Sequence, residues 1–146
     1  MSYAENTKVP VERSKAEIEK LLDRYGATGF GYAVEEKRAA VTFKTADRLV
    51  RFNLPLPNRP ESGARAKLVT EYEQQTRAKW RALVLVIKAK LEGIESGITT
   101  FDEAFLAHIV ITNGETVGDW ARAELDQIYS GKQAPRLMPP GGSTVR

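Results

Sequence analysis

Between Gly63 and Gly93 the chain contains neither glycine nor proline. At 3.6 residues per turn, nothing interrupts a helix of about eight turns from Ala64 to Ser96. Val69, Tyr72, Trp80, Leu83, Ile87, Leu91 and Ile94 recur at steps of three and four or their sums, which marks one helical face. From Ala82 to Ile87 apolar residues run round the whole circumference. A helix apolar all round is buried on every side or pairs with another chain. The β-branched content of this run also suits a strand, but the periodicity continues on both sides of it, which favours helix.

The rest of the chain is arranged around that rod. Ser14 and Glu17 form an S-x-x-E capping box ahead of a first helix with Ile18, Leu21, Leu22 and Tyr25 as its stripe, stopped by Gly26. Residues 1–12 lack periodicity and read as a flexible arm, mobile or loosely docked. Three period-two segments follow: Phe30, Tyr32 and Val34; Val41 and Phe43; Val50, Phe52 and Leu54. With short polar links they predict an antiparallel meander, aromatic and aliphatic on one face, small, polar and basic on the other. Pro55, Pro57, Pro60 and Gly63 then impose a crossover or flap.

Thr100 and Glu103 form a second capping box, opening a short helix with Phe105, His108 and Ile109 on one side. Asn113-Gly114 predicts a small hairpin. Thr116 and Asp119 predict the start of a last helix striped by Val117, Trp120, Ala121, Leu125 and Ile128, ending at Gly131. The two coexist if the hairpin is very short. The expected fold is therefore α+β, a three-stranded antiparallel meander packed by an N-terminal helix and one long central helix, with two C-terminal helices. Residues 13–131 form one domain, and 132–146, rich in proline and glycine, read as a largely disordered tail.

Composition limits the chemistry. With no cysteine, disulfides, Fe–S clusters and thiol catalysis are excluded, and His108 is the sole histidine. A metal would need carboxylates, of which Glu92, Glu95 and Asp102 cluster in sequence; helix-end solvation accounts for them as well. No nucleophile elbow or glycine-rich phosphate loop appears. No catalytic constellation, cofactor or metal site is expected. The N-terminus has no apolar signal-peptide core and no run is long enough for a membrane span.

Two functional folds share the α-β-β-β-α order. Double-stranded-RNA-binding domains insert the loop between the first two strands into the minor groove, but here it is Glu35-Glu36-Lys37-Arg38, half acidic. Nucleases of the PD-(D/E)xK type need acids on adjacent strands, and Leu49-Val50-Arg51-Phe52-Asn53 has none.

Charge is segregated. Residues 37–90 hold 13 Lys/Arg against 4 Asp/Glu, a balance of +9, and residues 91–131 hold 1 against 8, a balance of −7. Such blocks can pair within the fold or between subunits, or face nucleic acid. On a helical projection Arg77, Arg81 and Lys88 share a narrow stripe beside the apolar face of the long helix. They can lay their stems over the core and keep their charges in water. Joined by Lys44, Arg48, Arg51 and Arg59, they would instead make a phosphate-binding track. Trp80, Leu83, Val84 and Val86, from the all-round apolar run, are the expected oligomer or partner interface.

Lys79-Trp80-Arg81-Ala82-Leu83, Lys88-Ala89-Lys90-Leu91-Glu92, Phe101 with Phe105-Leu106-Ala107-His108-Ile109-Val110, and Thr116-Val117-Gly118-Asp119-Trp120 resemble segments of a family of small uncharacterised phage- and prophage-encoded proteins. The likeness covers roughly residues 8–138. That family carries no assigned activity, so no site residues transfer from it. The resemblance implies a phage protein in a bacterial cytoplasm, serving as a DNA replication or recombination accessory or as an inhibitor of a host defence protein. The leading expectation is a non-enzymatic, oligomeric nucleic-acid-binding protein. The alternative is a module that binds a host protein.

Overall fold

The computed structural model describes residues 4–45 and 47–131. The order is α1 (Val11–Asp23), β1 (Thr28–Val34), β2 (Arg38–Lys44), β3 (Leu49–Pro55), α2 (Ala66–Glu95), α3 (Phe101–Phe105), a 3-10 turn (Leu106–His108) and α4 (Val117–Gly131). This is the expected α+β arrangement. The proposed tail, 132–146, lies outside the described residues.

The three strands pair antiparallel in the order β1-β2-β3. Tyr32 stands opposite Val41, and Val41 opposite Phe52, so the apolar sets of all three strands point to one side. Helices α1 and α2 cover that side. Trp80, Leu83, Val84, Ile87 and Leu91 of α2 meet Val41, Phe43, Val50 and Phe52 of the sheet in a single core. The ring of Trp80 lies 6.0 Å from Tyr32, and Phe105 of α3 sits edge-on to both Phe43 and Phe52 at 6.0 and 6.1 Å. Each such buried apolar side chain contributes roughly 1.5–3 kcal/mol of transfer free energy.

The all-round apolar run therefore divides. Leu83, Val84 and Ile87 are buried, while Val86 is 44% exposed. Covering by α1 on one flank and the sheet beneath accounts for the breadth of the run without a second chain.

Two local expectations change. Helix α1 starts at Val11 with Pro10 as its N-cap, and no side chain caps it. Proline's fixed φ near −65° suits the entry, and Val11 packs on the core, which sets the start four residues early. Ser14 thus lies inside the helix, fully buried, and its Oγ has no hydrogen-bond partner among the described residues. Residues 4–9, expected as an arm, run along α2: Ala4 is buried, and Gln74 Nε2 donates to the carbonyls of Glu5 and Thr7 at 3.1 and 2.9 Å.

Both C-terminal expectations coexist. Thr100 and Glu103 make the reciprocal capping box that opens α3. This helix ends at Phe105, earlier than the spacing implied, because Ile109 leaves it to pair with Val50 beside β3. Val110 bridges Thr116 across the Asn113-Gly114 turn, and Thr116 Oγ1 accepts from the Asp119 amide at 3.2 Å to cap α4.

Candidate nucleic-acid and partner surfaces

The seven expected phosphate-track residues do not form one track. Alternation along β2 and β3 puts Lys44 and Arg51 on the outer face of the sheet, opposite the helices. Arg77, Arg81 and Lys88 belong to the helical layer, so the whole thickness of the sheet separates the two groups. Arg48 lies at the β2–β3 turn and Arg59 is exposed in the loop leading to α2. A single strand of nucleic acid cannot touch all seven.

Within the helical layer, Glu17 of α1 organises the cations. It accepts from Arg81 Nη1 and pairs with Lys88 Nζ at 3.1 Å. Burial pushes its carboxyl pKa up, but the hydrogen bonds and charges of Arg81 and Lys88 outweigh this and hold it below 4.5. The groove beside it, about 510 Å³, is lined by Arg13, Lys20, Arg24 and Lys88 as well as Glu17. Arg24 pairs with Glu95 at 3.7 Å, and Arg77 donates to Gln74 Oε1 at 2.6 Å. The seam is basic, and two carboxylates answer only part of its charge: Glu17 and Glu95 meet Arg81, Lys88 and Arg24, while Arg13, Lys20 and Arg77 have no ion-pair partner among the described residues. Arg48 is engaged, with a two-pronged bond to Asp102, Nε to Oδ1 and Nη2 to Oδ2, both at 3.0 Å.

The outer face of the sheet differs. Gly31 and Ala33, Ala40 and Thr42, and Arg51 and Asn53 make its floor, and none of these is buried. No carboxylate lies on this face within the strands. Lys44 has no ion-pair partner among the described residues, and Arg51 uses one guanidinium N–H on the Gly114 carbonyl at 2.9 Å. Lys44 stands opposite Leu49 and is therefore a diagonal neighbour of Arg51, about 7–8 Å away.

The expected partner interface needs correction. Trp80, Leu83 and Val84 are 2%, 5% and 0% exposed, so they hold the monomer together and offer nothing to a partner; only Val86 reaches the surface. Among the described residues the apolar face left without a partner lies on α4 instead, which buries no residue. Trp120, Leu125 and Tyr129 are each more than half exposed, and Ile128 is 39% exposed. Periodicity identified this stripe as a helix face but not its exposure, since a covered and an uncovered stripe have the same spacing.

Glu92, Glu95 and Asp102 do not converge: Glu95 pairs with Arg24 and Asp102 with Arg48, and no group of three or more His/Asp/Glu suited to a metal occurs among the described residues. His108 is stacked on Phe52 at 4.0 Å, half-buried, and burial followed by the nearby charge of Lys90 lowers its pKa below 6.5. Its ring is a packing element. No helix among the described residues is long and apolar enough to cross a membrane.

No family model matches the chain, and neither the curated proteins nor the solved structures provide a match.

Proposed function

We propose that this is a non-enzymatic nucleic-acid-binding protein, of the kind phages encode as DNA replication or recombination accessories, and that it binds through the outer face of its sheet. The observation that carries the reading is a whole sheet face left uncovered among the described residues, with Lys44 and Arg51 above a floor of glycine, alanine and threonine. Small side chains let a sugar-phosphate backbone approach the sheet closely. Two unanswered cations at a diagonal spacing supply phosphate contacts without carboxylates to repel them. The absence of exposed aromatic rings on that face points to backbone contacts in place of base stacking. The phage assignment rests on the sequence resemblance.

Anisotropy of labelled single- and double-stranded DNA and RNA across a salt titration tests it. Lys44→Ala with Arg51→Gln is expected to weaken binding and to lower the log–log salt slope by roughly 1.4–1.8, two phosphate contacts' worth. Arg81→Ala with Lys88→Ala is expected to leave both affinity and slope nearly unchanged. The opposite pattern, or no binding at low salt, overturns the reading. A second reading, a protein-binding module such as an inhibitor of a host defence protein, is favoured by the exposed stripe of α4.

A further inference from the structure

Helix α4 and the outer sheet face are the two large surfaces left without cover among the described residues, and they complement each other. The helix begins beside β3, where Val110 donates to the Leu49 carbonyl at 2.8 Å and the Val117 amide to the Ile109 carbonyl at 2.9 Å. Among the described residues it packs chiefly through its first turns, where Gly118 fits closely against Ala107. From there its apolar stripe runs on with none of the described residues beneath it. Within the stripe stands one carboxylate, Glu124, four residues after Trp120 and four before Ile128, so all three lie on one face. Glu124 has no ion-pair partner among the described residues. A carboxylate in an apolar contact requires a cation from whatever covers it.

We infer that a second copy of this chain covers α4 with the outer face of its sheet, each copy's helix lying on the other's strands and Glu124 meeting Lys44 and Arg51. Dimensions agree. Fifteen residues of helix span about 22 Å, and a seven-residue strand about 23 Å. Three strands are about 10 Å across, the width of one helix. The large side chains of α4 fall on the small residues of the sheet, and the exposed Leu49 extends the apolar contact. Charge agrees at the contact: Glu124 is the carboxylate within the stripe of α4, while the outer face carries Lys44 and Arg51, neither of which has an ion-pair partner among the described residues. A two-fold pair in which each helix lies on the other copy's strands uses both surfaces of both copies, which closes the assembly at two.

The pairing stands without the nucleic-acid reading. If that reading holds as well, the two occupants compete for the same face, and binding is released from a stored dimer.

The test is a charge exchange, read by light scattering over a wide concentration range. Wild-type chain is expected to reach the mass of two copies. Glu124→Lys alone, and Lys44→Glu with Arg51→Glu, are each expected to remain at the mass of one. Mixing these two variants is expected to restore pairs, which also shows that each is folded. A wild type that stays at one copy at all concentrations, pairs that survive the sheet-face reversal, or a mixture that fails to re-form them overturns the proposal. Labelled nucleic acid in the same samples keeps the two ideas apart. A single-copy Glu124→Lys variant that binds no nucleic acid at low salt sinks only the functional reading, and binding by a wild type that stays a single copy sinks only the pairing.

Discussion

At the scale of single residues, two S/T-x-x-E motifs with the same spelling have opposite fates. Thr100 caps α3, its hydroxyl accepting from the Glu103 amide at 3.2 Å while the Glu103 carboxylate takes the Thr100 amide at 2.9 Å. Ser14 caps nothing, because Pro10 starts the helix one turn earlier. Thr100→Ala should therefore lower stability by about 1 kcal/mol. Ser14→Ala should be neutral or stabilising by up to about 0.5 kcal/mol, since alanine is the better helix former and no hydrogen bond is lost. Paired urea melts check this, and a loss at Ser14 as large as at Thr100 would restore the capping role. Glu17, freed from that motif, sets part of the pH dependence. Its lowered pKa means its contribution is complete above about pH 4.5 and is lost as pH falls through the folded-state value. His108, also lowered, begins to cost stability earlier, below about pH 6.5, when unfolded chains take up a proton that the folded ring resists. Thermal melts against pH should show both limbs, and Glu17→Gln should shrink only the more acid one, to which the Glu103 carboxylate, also lowered by its hydrogen bonds with Thr100, contributes as well.

At the scale of elements, helices α2 and α4 looked alike in sequence and differ in partners. The 30 residues of α2 are held by α1 and the sheet, so Trp80→Ala should destabilise the monomer by about 3–5 kcal/mol. If Trp80 served only a partner interface, the monomer's melt would not move. Helix α4 is held chiefly at its start. A Cβ on Gly118 would come within 2.8 Å of the Ala107 carbonyl oxygen, and a backbone atom cannot swing aside as a side-chain tip can. Gly118→Ala should consequently loosen α4 while leaving the core intact. Hydrogen exchange is the measurement, with faster exchange over 117–131 and unchanged protection in α2 as the expected result.

At the scale of the whole molecule, the number, type and order of the elements were legible in the chain. Each rests on local physics: period-two and period-3.6 patterns, glycine and proline stops, and the Thr100 and Thr116 caps. The residues of the sheet's two faces were legible as well, since alternation assigns Lys44 and Arg51 to one side and Val41 and Phe52 to the other. The packing of the first and the long helix on the sheet was legible too, but not which side chains on those elements meet. The cations of α2 and those of β2 and β3 lie close in sequence and carry the same charge, yet a sheet stands between them. Glu17 is far along the chain from Arg81 and Lys88, and nothing in its surroundings marks it as their counter-charge. Trp80 and Trp120 occupy apolar stripes of the same period, one 2% and the other 53% exposed. The sequence by itself determined the elements and their apolar faces, because those follow from backbone geometry within a few residues. Only the tertiary structure decided which faces are covered, because burial and ion pairing depend on contacts between residues distant along the chain.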